Sequence, residues 1–333
     1  MWDSPGAFHH GFKGLCSVFV NAAFAFSGTE MVGLAAAETE NPRKTLPTAT
    51  KQVFWRICLF YLISLTLVGL LVPYNDPQLL NSSSSADANA SPFVLAIKRA
   101  GISGLPSVMN AVILIAVLSV GNSAVYGTSR TLAALADQGQ APKILGYIDR
   151  MGRPLVSIII TSLFGLICFI AASDKQEEAF TWMMAISGLS SIFTWGSVCL
   201  SHIRFRRAWK LQGHHLSELA FTSQVGVYGS WVGFIFNFLV LVAQFWIGVA
   251  PFGFKQMAAR DIVENWFEVY LALPVMLAFY FPYKIWYRTP FMRAKDMDLV
   301  TGHRRMDTQA LIDEERAERK EWPIWKKVYK VFC

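Results

Sequence analysis

The chain has 333 residues, of which 53% are hydrophobic and 16% are charged, and its mean hydropathy is +0.37. Soluble domains carry roughly 25% charged residues, so this composition excludes an ordinary soluble protein and indicates a polytopic membrane protein. The net charge of +7 does not indicate nucleic-acid binding, because the basic residues lie between apolar stretches and in the C-terminal region.

Seven apolar stretches follow one another along the chain. They cover residues 14–37, 53–72, 105–125, 156–172, 180–200, 230–250 and 266–286. Each is close to the roughly 20 residues that a helix needs to cross the hydrocarbon core. Helices are predicted because lipid cannot satisfy free backbone amides. The sequence therefore predicts an all-α fold with a seven-helix transmembrane domain over residues 14–286.

Lysine and arginine are distributed unequally over the connecting segments. Eleven of them lie in three segments, 38–52, 128–155 and 201–229. Six lie in the other four, 1–13, 73–104, 173–179 and 251–265. Because cytoplasmic loops are enriched in these residues, the first set is expected in the cytoplasm. Residues 1–13 are then an extracellular N-terminal segment, and residues 287–333 form a cytoplasmic tail.

The first stretch contains “FAFSGTEMVG”, with Glu30 as the only charged residue well inside any span. A charge at the bilayer centre costs roughly 2.5–3.5 kcal/mol on the insertion scale. Gly28 and Gly33 weaken the helix, and Ser27 and Thr29 can bond to freed backbone groups. The pattern predicts an unwound binding segment in which Glu30 pairs with a proton or an ammonium group. The alternative is a small-residue packing seam, with Glu30 hydrogen-bonded to a neighbouring helix.

The segment between the second and third stretches contains “SPFVLAIKRAG”, which predicts a short helix with Ser91 as its N-cap. In the third stretch, Ser119, Asn122, Ser123 and Tyr126 recur at intervals of three and four residues. They share one helix face, which we expect to point into the bundle. Hydrogen bonds between helices explain this face as well as a binding site does.

The fifth stretch contains “TWMMAISGLSS”, with Trp182 and Ser187 as candidate contacts of a ligand. An aromatic residue in such a stretch is more often a packing residue than a ligand contact.

Cysteine placement and motif content exclude several kinds of chemistry. Four cysteines lie in apolar stretches, Cys333 is the last residue, and no CxxC pair exists. No P-loop, GxGxxG or GxSxG motif is present. We therefore expect no disulfide, no metal site, no cofactor and no enzymatic activity.

Several motifs resemble the fungal general amino-acid permeases, which belong to the yeast amino-acid transporter family of the amino-acid–polyamine–organocation superfamily. They include “FSGTEMVGLAAAETENPRK”, “GLPSVMNAVILIAVLSVGNSAVYGTSRTLAALA” and “SGLSSIFTWGSVCLSHIRFRRAW”. The resemblance extends over essentially the whole chain. It implies proton-coupled amino-acid import with a broad substrate range at the plasma membrane. The implied partners are amino acids, protons and membrane lipids, without nucleic acid.

The resemblance also implies an architecture and a set of site residues. Members have twelve spans, of which the first ten form two inverted five-helix repeats. This chain then corresponds to the second repeat plus two additional transmembrane helices. The implied substrate-binding residues are Phe26, Ser27, Gly28, Thr29, Glu30, Ser119, Asn122, Ser123, Trp182 and Ser187. Glu30 is also the implied proton-coupling residue, and Cys333 is the implied site of lipidation.

The family's first span contributes a second break to the binding site, and that span has no counterpart here. We therefore expect the chain to be a fragment that is inactive alone and needs a separate N-terminal half. Three alternatives stay open: a non-transporting amino-acid sensor, a seven-helix receptor, and a truncated gene product. The receptor has the same topology, but the sequence lacks a DRY-like triplet, an NPxxY motif and paired outer cysteines.

Overall fold

The computed structural model describes residues 10–35, 39, 42–73, 76, 91–172, 176–219, 222–223, 225–299, 301, 317 and 321–324. The segment 1–9, most of the predicted tail and the predicted lipidation site Cys333 lie outside the described residues. Within the described residues, all regular secondary structure is helical. This confirms the prediction of an all-α chain with several apolar helices.

Eleven α-helices lie within the described residues. They are α1 (Gly11–Ser17), α2 (Phe19–Phe26), α3 (Met31–Ala35), α4 (Pro42–Leu71), α5 (Pro92–Arg99), α6 (Leu105–Asp137), α7 (Leu155–Gly165), α8 (Gln176–Leu211), α9 (Gly226–Val249), α10 (Ala259–Tyr270) and α11 (Ala272–Tyr287).

Five runs of described residues are long and apolar enough to cross a membrane. They are Gly11–Leu34, Thr45–Leu71, Leu105–Asp137, Glu178–Leu211 and Gly226–Gln256. The pair α10 and α11 passes the same test as one span, bent by 68°. The fourth predicted stretch forms a shorter apolar helix, Leu155–Ile170, whose later part is a 3-10 helix. Among the described residues there are thus five full-length candidate spans, or six with the bent pair, and the fourth predicted stretch is a shorter helix.

Apolar side chains cover the outer surfaces of these helices. In Thr45–Leu71 and in Leu105–Asp137, no residue of the most apolar 18-residue stretch is buried. Leu70 on α4 is 78% exposed, and Val120 on α6 is 68% exposed. Such continuous apolar faces are unfavourable in water and suit contact with lipid chains or other transmembrane helices.

Contacts divide the chain into two compact units. The first consists of the described residues in 1–27, 43–47 and 181–333, and the second of those in 28–42 and 48–180. One of the four boundaries along the chain falls between Ser27 and Gly28, inside the first apolar run.

The core of the first unit joins α2, α8, α9 and the α10–α11 pair. Its buried members are Val20, Ala23, Leu189, Ile192, Val240, Tyr270 and Ala272. Two side-chain hydrogen bonds tie α10 to α9: Tyr270 Oη donates to the Leu241 carbonyl at 3.2 Å, and Asn265 Nδ2 donates to the Gly248 carbonyl at 2.9 Å. Hydrogen bonds of this kind contribute about 0.6 kcal/mol each in membranes, so close packing carries most of the association.

The bend between α10 and α11 follows from Pro274 in the first turn of α11. Proline has no N–H to donate to the carbonyl four residues earlier, and its ring crowds that carbonyl. That residue is Tyr270, the last of α10. The proline therefore explains why the apolar run breaks at this point.

In the second unit, α6 and α7 pack on each other and on the loop that joins them. The buried Ser157 hydroxyl donates to the Leu145 carbonyl of this loop at 2.8 Å. Asp149 closes the loop by accepting from the Met151 and Arg153 amides at 2.9 Å and from the Arg153 guanidinium at 2.8 Å. The Arg153 amide, followed by its guanidinium, lowers the pKa of Asp149 below the usual value.

The short helix α5 forms where the sequence predicted it, with Ser91 at the N-cap and Pro92 at the first position. It buries Val94 and Leu95 and is held at its C-terminal end by an ion pair. Arg99 donates to Asp76 Oδ2 from Nε at 3.0 Å and from Nη2 at 2.6 Å. Asp76 is only 4% exposed, so this guanidinium pairs with a buried carboxylate.

We predict that Asp76→Asn lowers the free energy of unfolding by about 1.5–3 kcal/mol, the typical contribution of a hydrogen bond to a charged group. Thermal unfolding of the detergent-purified chain measures the loss. Asp296→Asn, at an exposed position, is the matched control and should unfold like the unmodified chain.

The pairing itself is tested by combining Asp76→Asn with Arg99→Gln. If the two residues act as a pair, the double variant should lose little more stability than either single variant. Fully additive losses would show that the ion pair does not hold α5.

Candidate functional site

The first apolar run is interrupted between α2 and α3 by a four-residue turn, Ser27 to Glu30. Ser27 leaves the helix with φ −58° and ψ 143°, and Gly28 has φ +95°. A side chain would strain the backbone at this positive φ, so glycine is what permits the turn. Gly33, which was also expected to weaken the helix, lies inside α3 without a positive φ.

The Glu30 carboxylate closes the turn on itself. Its Oε2 accepts from the Gly28 amide at 3.2 Å, and the Gly28 carbonyl accepts from the Met31 amide at 3.0 Å. The carboxylate thus satisfies a backbone donor that the broken helix no longer bonds. An amide held by a carboxylate is also a place where another carboxylate, such as that of an amino acid, can bind.

In the first unit, Ser27 at the end of α2 is tied to α8. The Ser27 and Ser191 hydroxyl oxygens are 2.9 Å apart, and Ser191 Oγ lies 3.0 Å from the Ser187 carbonyl. Ser191 has one proton and is 6% exposed. When that proton goes to the Ser187 carbonyl, the Ser27 hydroxyl donates to Ser191.

Close backbone packing lies beside this hydrogen bond. A Cβ built on Gly188 would lie 2.7 Å from the Val20 carbonyl oxygen and 2.8 Å from Val20 Cγ1. Only glycine allows α2 and α8 to approach this closely, as small residues do at membrane helix interfaces. Leu189 and Ile192 of α8 are buried in the same core as Val20 and Ala23 of α2. The helix before the break is therefore seated firmly on α8.

In the second unit, α3 packs against α6 just after the break. The Met31 side chain fills the space that a Cβ would take at Gly127. Gly127 lies one helical turn after Ser123, on the same face of α6. The residue that follows Glu30 is thus packed one turn away from the polar face predicted for α6.

The predicted site residues fall into both units. Phe26, Ser27, Trp182 and Ser187 belong to the first, and Gly28, Thr29, Glu30, Ser119, Asn122 and Ser123 belong to the second. Because α6 is helical throughout, Ser119, Asn122 and Ser123 lie on one face, and all three are exposed. That this face points into a bundle stays a prediction.

Trp182 and Ser187 are half-buried on α8, but they do not share a face, because five residues turn a helix by about 500°, or 140° beyond a full turn. Ser187 is brought to Ser27 through Ser191. Sequence reasoning missed Ser191, although its spacing of four from Ser187 places both serines on one face. The spacing alone did not show which helix this face meets.

We predict that Gly188→Ala destabilises the chain by about 1–3 kcal/mol, because the added methyl group meets the backbone of α2. Gly196→Ala on the same helix is the control, since a Cβ there would meet Asn237 Cβ at an ordinary 3.7 Å. Thermal unfolding in detergent compares the two variants. Equal stability of both would contradict the close approach of α2 and α8.

Comparison with known proteins shows which family the chain resembles over its length. The family profile described as “Amino acid permease” matches residues 1–295. No solved structure matches the chain.

Three fungal relatives align over the full length of this chain. It is 59% identical to the general amino-acid permease GAP2 of Candida albicans, covering 56% of that protein, and 55% identical to the amino-acid permease GAP5 of the same organism, covering 53%. It is 52% identical to the general amino-acid permease GAP1 of Saccharomyces cerevisiae, covering 56%. The chain thus spans about half the length of the curated relatives it matches. With a family profile matched over nearly nine-tenths of its residues, the chain belongs to the amino acid permease family.

Proposed function

We propose that the protein takes part in the proton-coupled import of amino acids, with a broad substrate range, across the plasma membrane. The observation that carries the proposal is the glycine-permitted break at Ser27–Glu30, in which a carboxylate holds a backbone amide. The relatives named as amino-acid permeases support the substrate class. Family membership favours this role over the seven-helix receptor considered from the sequence.

The break supplies the groups that an amino acid needs. Its carboxylate would bind the amide of Gly28, assisted by the hydroxyl groups of Ser27 and Thr29. Broken membrane helices use amides freed in this way for anionic substrate groups. The substrate ammonium group would pair with carbonyl oxygens at the end of α2, near Phe26.

Proton coupling follows from the competition between two carboxylates for one amide. In the structure Glu30 accepts from the Gly28 amide. A proton on Glu30 weakens this hydrogen bond, because a neutral acceptor binds an amide less strongly than a charged one. The amide then becomes available to the substrate carboxylate. Binding of the amino acid and of the proton would therefore favour each other.

The remaining candidate residues are proposed as contacts of the substrate side chain. Ser119, Asn122 and Ser123 offer hydroxyl and amide groups on one face of α6, and Trp182 and Ser187 offer an aromatic ring and a hydroxyl on α8. Groups of these kinds can contact substrate side chains of several kinds, which would agree with a broad range.

The length of the relatives supports one further part of the proposal. They contain about as much sequence again as this chain, and a polypeptide equivalent to that other half is proposed as its partner in transport. Palmitoylation of Cys333 stays a prediction.

We predict that Glu30→Gln abolishes proton-driven accumulation while retaining exchange of labelled for unlabelled amino acid. Glutamine can still accept from the Gly28 amide, but it cannot carry a proton. Uptake is measured in permease-deficient yeast that expresses the chain, alone and with the first half of a general amino-acid permease. Glu264→Gln, at an exposed position on α10, is the control and should accumulate substrate normally.

Two results would count against the proposal. Normal pH-dependent accumulation by Glu30→Gln, at normal surface expression, would remove Glu30 from proton coupling. Absence of any amino-acid uptake by the unmodified chain in both expression backgrounds, despite delivery to the surface, would contradict the transport function itself.

A further inference from the structure

A groove of about 550 Å³ lies in the first unit, between the C-terminal part of α8 and the start of α9. Val198, Phe205 and Leu219 contribute apolar side chains to its lining. His202 and Arg206 contribute basic ones, together with the hydroxyl groups of Thr222, Ser223 and Ser230. The lining is thus amphipathic.

Tight packing of α8 on α9 forms the floor of the groove. A Cβ at Gly233 would lie 3.0 Å from Cys199 Sγ, so the two helices are in close contact there. One turn further along, His202 Nδ1 and Ser230 Oγ are 2.7 Å apart. Both residues line the groove, and Arg206 lies one turn further along α8.

Arg206 is half-buried in the groove, and in the part of the chain that the structure describes no carboxylate pairs with it. Arg204, two residues earlier, is used differently: its guanidinium donates to the Met292 carbonyl and lies 4.8 Å from the centre of the Phe291 ring. A half-buried guanidinium without an anion is unfavourable, so the site is complementary to an anionic group from outside the chain.

The acidic residue of the connecting loop is already engaged. Glu218 accepts from the His215 amide at 2.7 Å and lies 2.8 Å from His214 Nδ1. The His215 amide, followed by the His214 ring, lowers the pKa of Glu218 below its usual value. Glu218 is therefore bonded within the loop, and it is not among the residues that line the groove.

We propose that this groove binds an anionic phospholipid of the cytoplasmic leaflet, with the phosphate at Arg206 and His202 and an acyl chain along Val198 and Phe205. The apolar lining residues favour a phospholipid over free phosphate. Basic pockets between transmembrane helices on the cytoplasmic side bind anionic headgroups in this way. The positive end of the α9 helix dipole adds to the attraction.

The proposal depends on the cytoplasmic placement of residues 201–229, which the basic residues predict. Two contacts support it by joining α8 to the segment after α11, which is expected on the same side. Besides the Arg204 contact, Gln212 Nε2 donates to the Met297 carbonyl at 2.8 Å. His202 lies two residues beyond the predicted end of its span, at the depth expected for lipid phosphates.

The experiment measures lipid binding to the detergent-purified full chain by native mass spectrometry and by lipid-induced thermal stabilisation. Phosphatidylserine, phosphatidylcholine and inorganic phosphate are the three probes. Arg206→Gln should weaken phosphatidylserine binding about fivefold, the effect of one basic residue near an anionic surface. Arg207→Gln, at the exposed neighbouring position, makes the same change of charge and should bind like the unmodified chain.

Arg206→Lys keeps the charge and should retain most of the binding, which separates loss of charge from loss of folding. Equal effects of Arg206→Gln and Arg207→Gln would overturn the proposal by showing attraction to net charge alone. Equal binding of phosphatidylcholine would overturn the requirement for an anionic lipid. Stabilisation by inorganic phosphate that matches phosphatidylserine would show an anion site without a lipid.

Discussion

A backbone amide inside a membrane needs a hydrogen-bond partner, and the break at Ser27–Glu30 is organised around one such amide. An unsatisfied polar group in hydrocarbon costs several kcal/mol, so a helix cannot be opened unless something replaces the lost bond. Here the carboxylate of Glu30 replaces the lost hydrogen-bond partner of the Gly28 amide. The Glu30 carboxylate would be unfavourable in the span by itself. Here it stabilises the turn at Ser27–Glu30.

The two ends of the break are held by different kinds of contact. The end of α2 is fixed on α8 by the Ser27–Ser191 hydrogen bond and by the glycine contact at Gly188, neither of which involves an ionisable group. The turn before α3 is closed by the Glu30 carboxylate, and α3 itself is packed on α6 through Met31.

Sequence patterns predicted the features that depend on interactions between residues close together in the chain. Apolar length predicted the helices, and a glycine beside a lone carboxylate predicted the break, because both depend on residues close together in the sequence. The local pattern did not distinguish Gly28, which has a positive φ, from Gly33, which stays helical. The bend near Pro274 was missed, although proline gives a local reason for it.

Features that depend on partners far apart in the sequence could not be predicted. Ser191 meets Ser27 across 164 positions, and Arg99 meets Asp76 across 23. The fourth stretch was predicted over residues 156–172 and is helical there, but its geometry changes from α to 3-10 at Leu166. Composition carries no information on that change.

We propose that a proton on Glu30 releases the Gly28 amide to the carboxylate of the substrate. Difference infrared spectroscopy on protein labelled with ¹³C-glutamate, purified with the partner half if transport requires it, follows this carboxyl group directly. We expect that adding an amino acid converts one glutamate from the ionised to the protonated form, and that this change is absent in Glu30→Gln. A carboxylate at position 30 that stays ionised when the amino acid is bound would contradict the proposal.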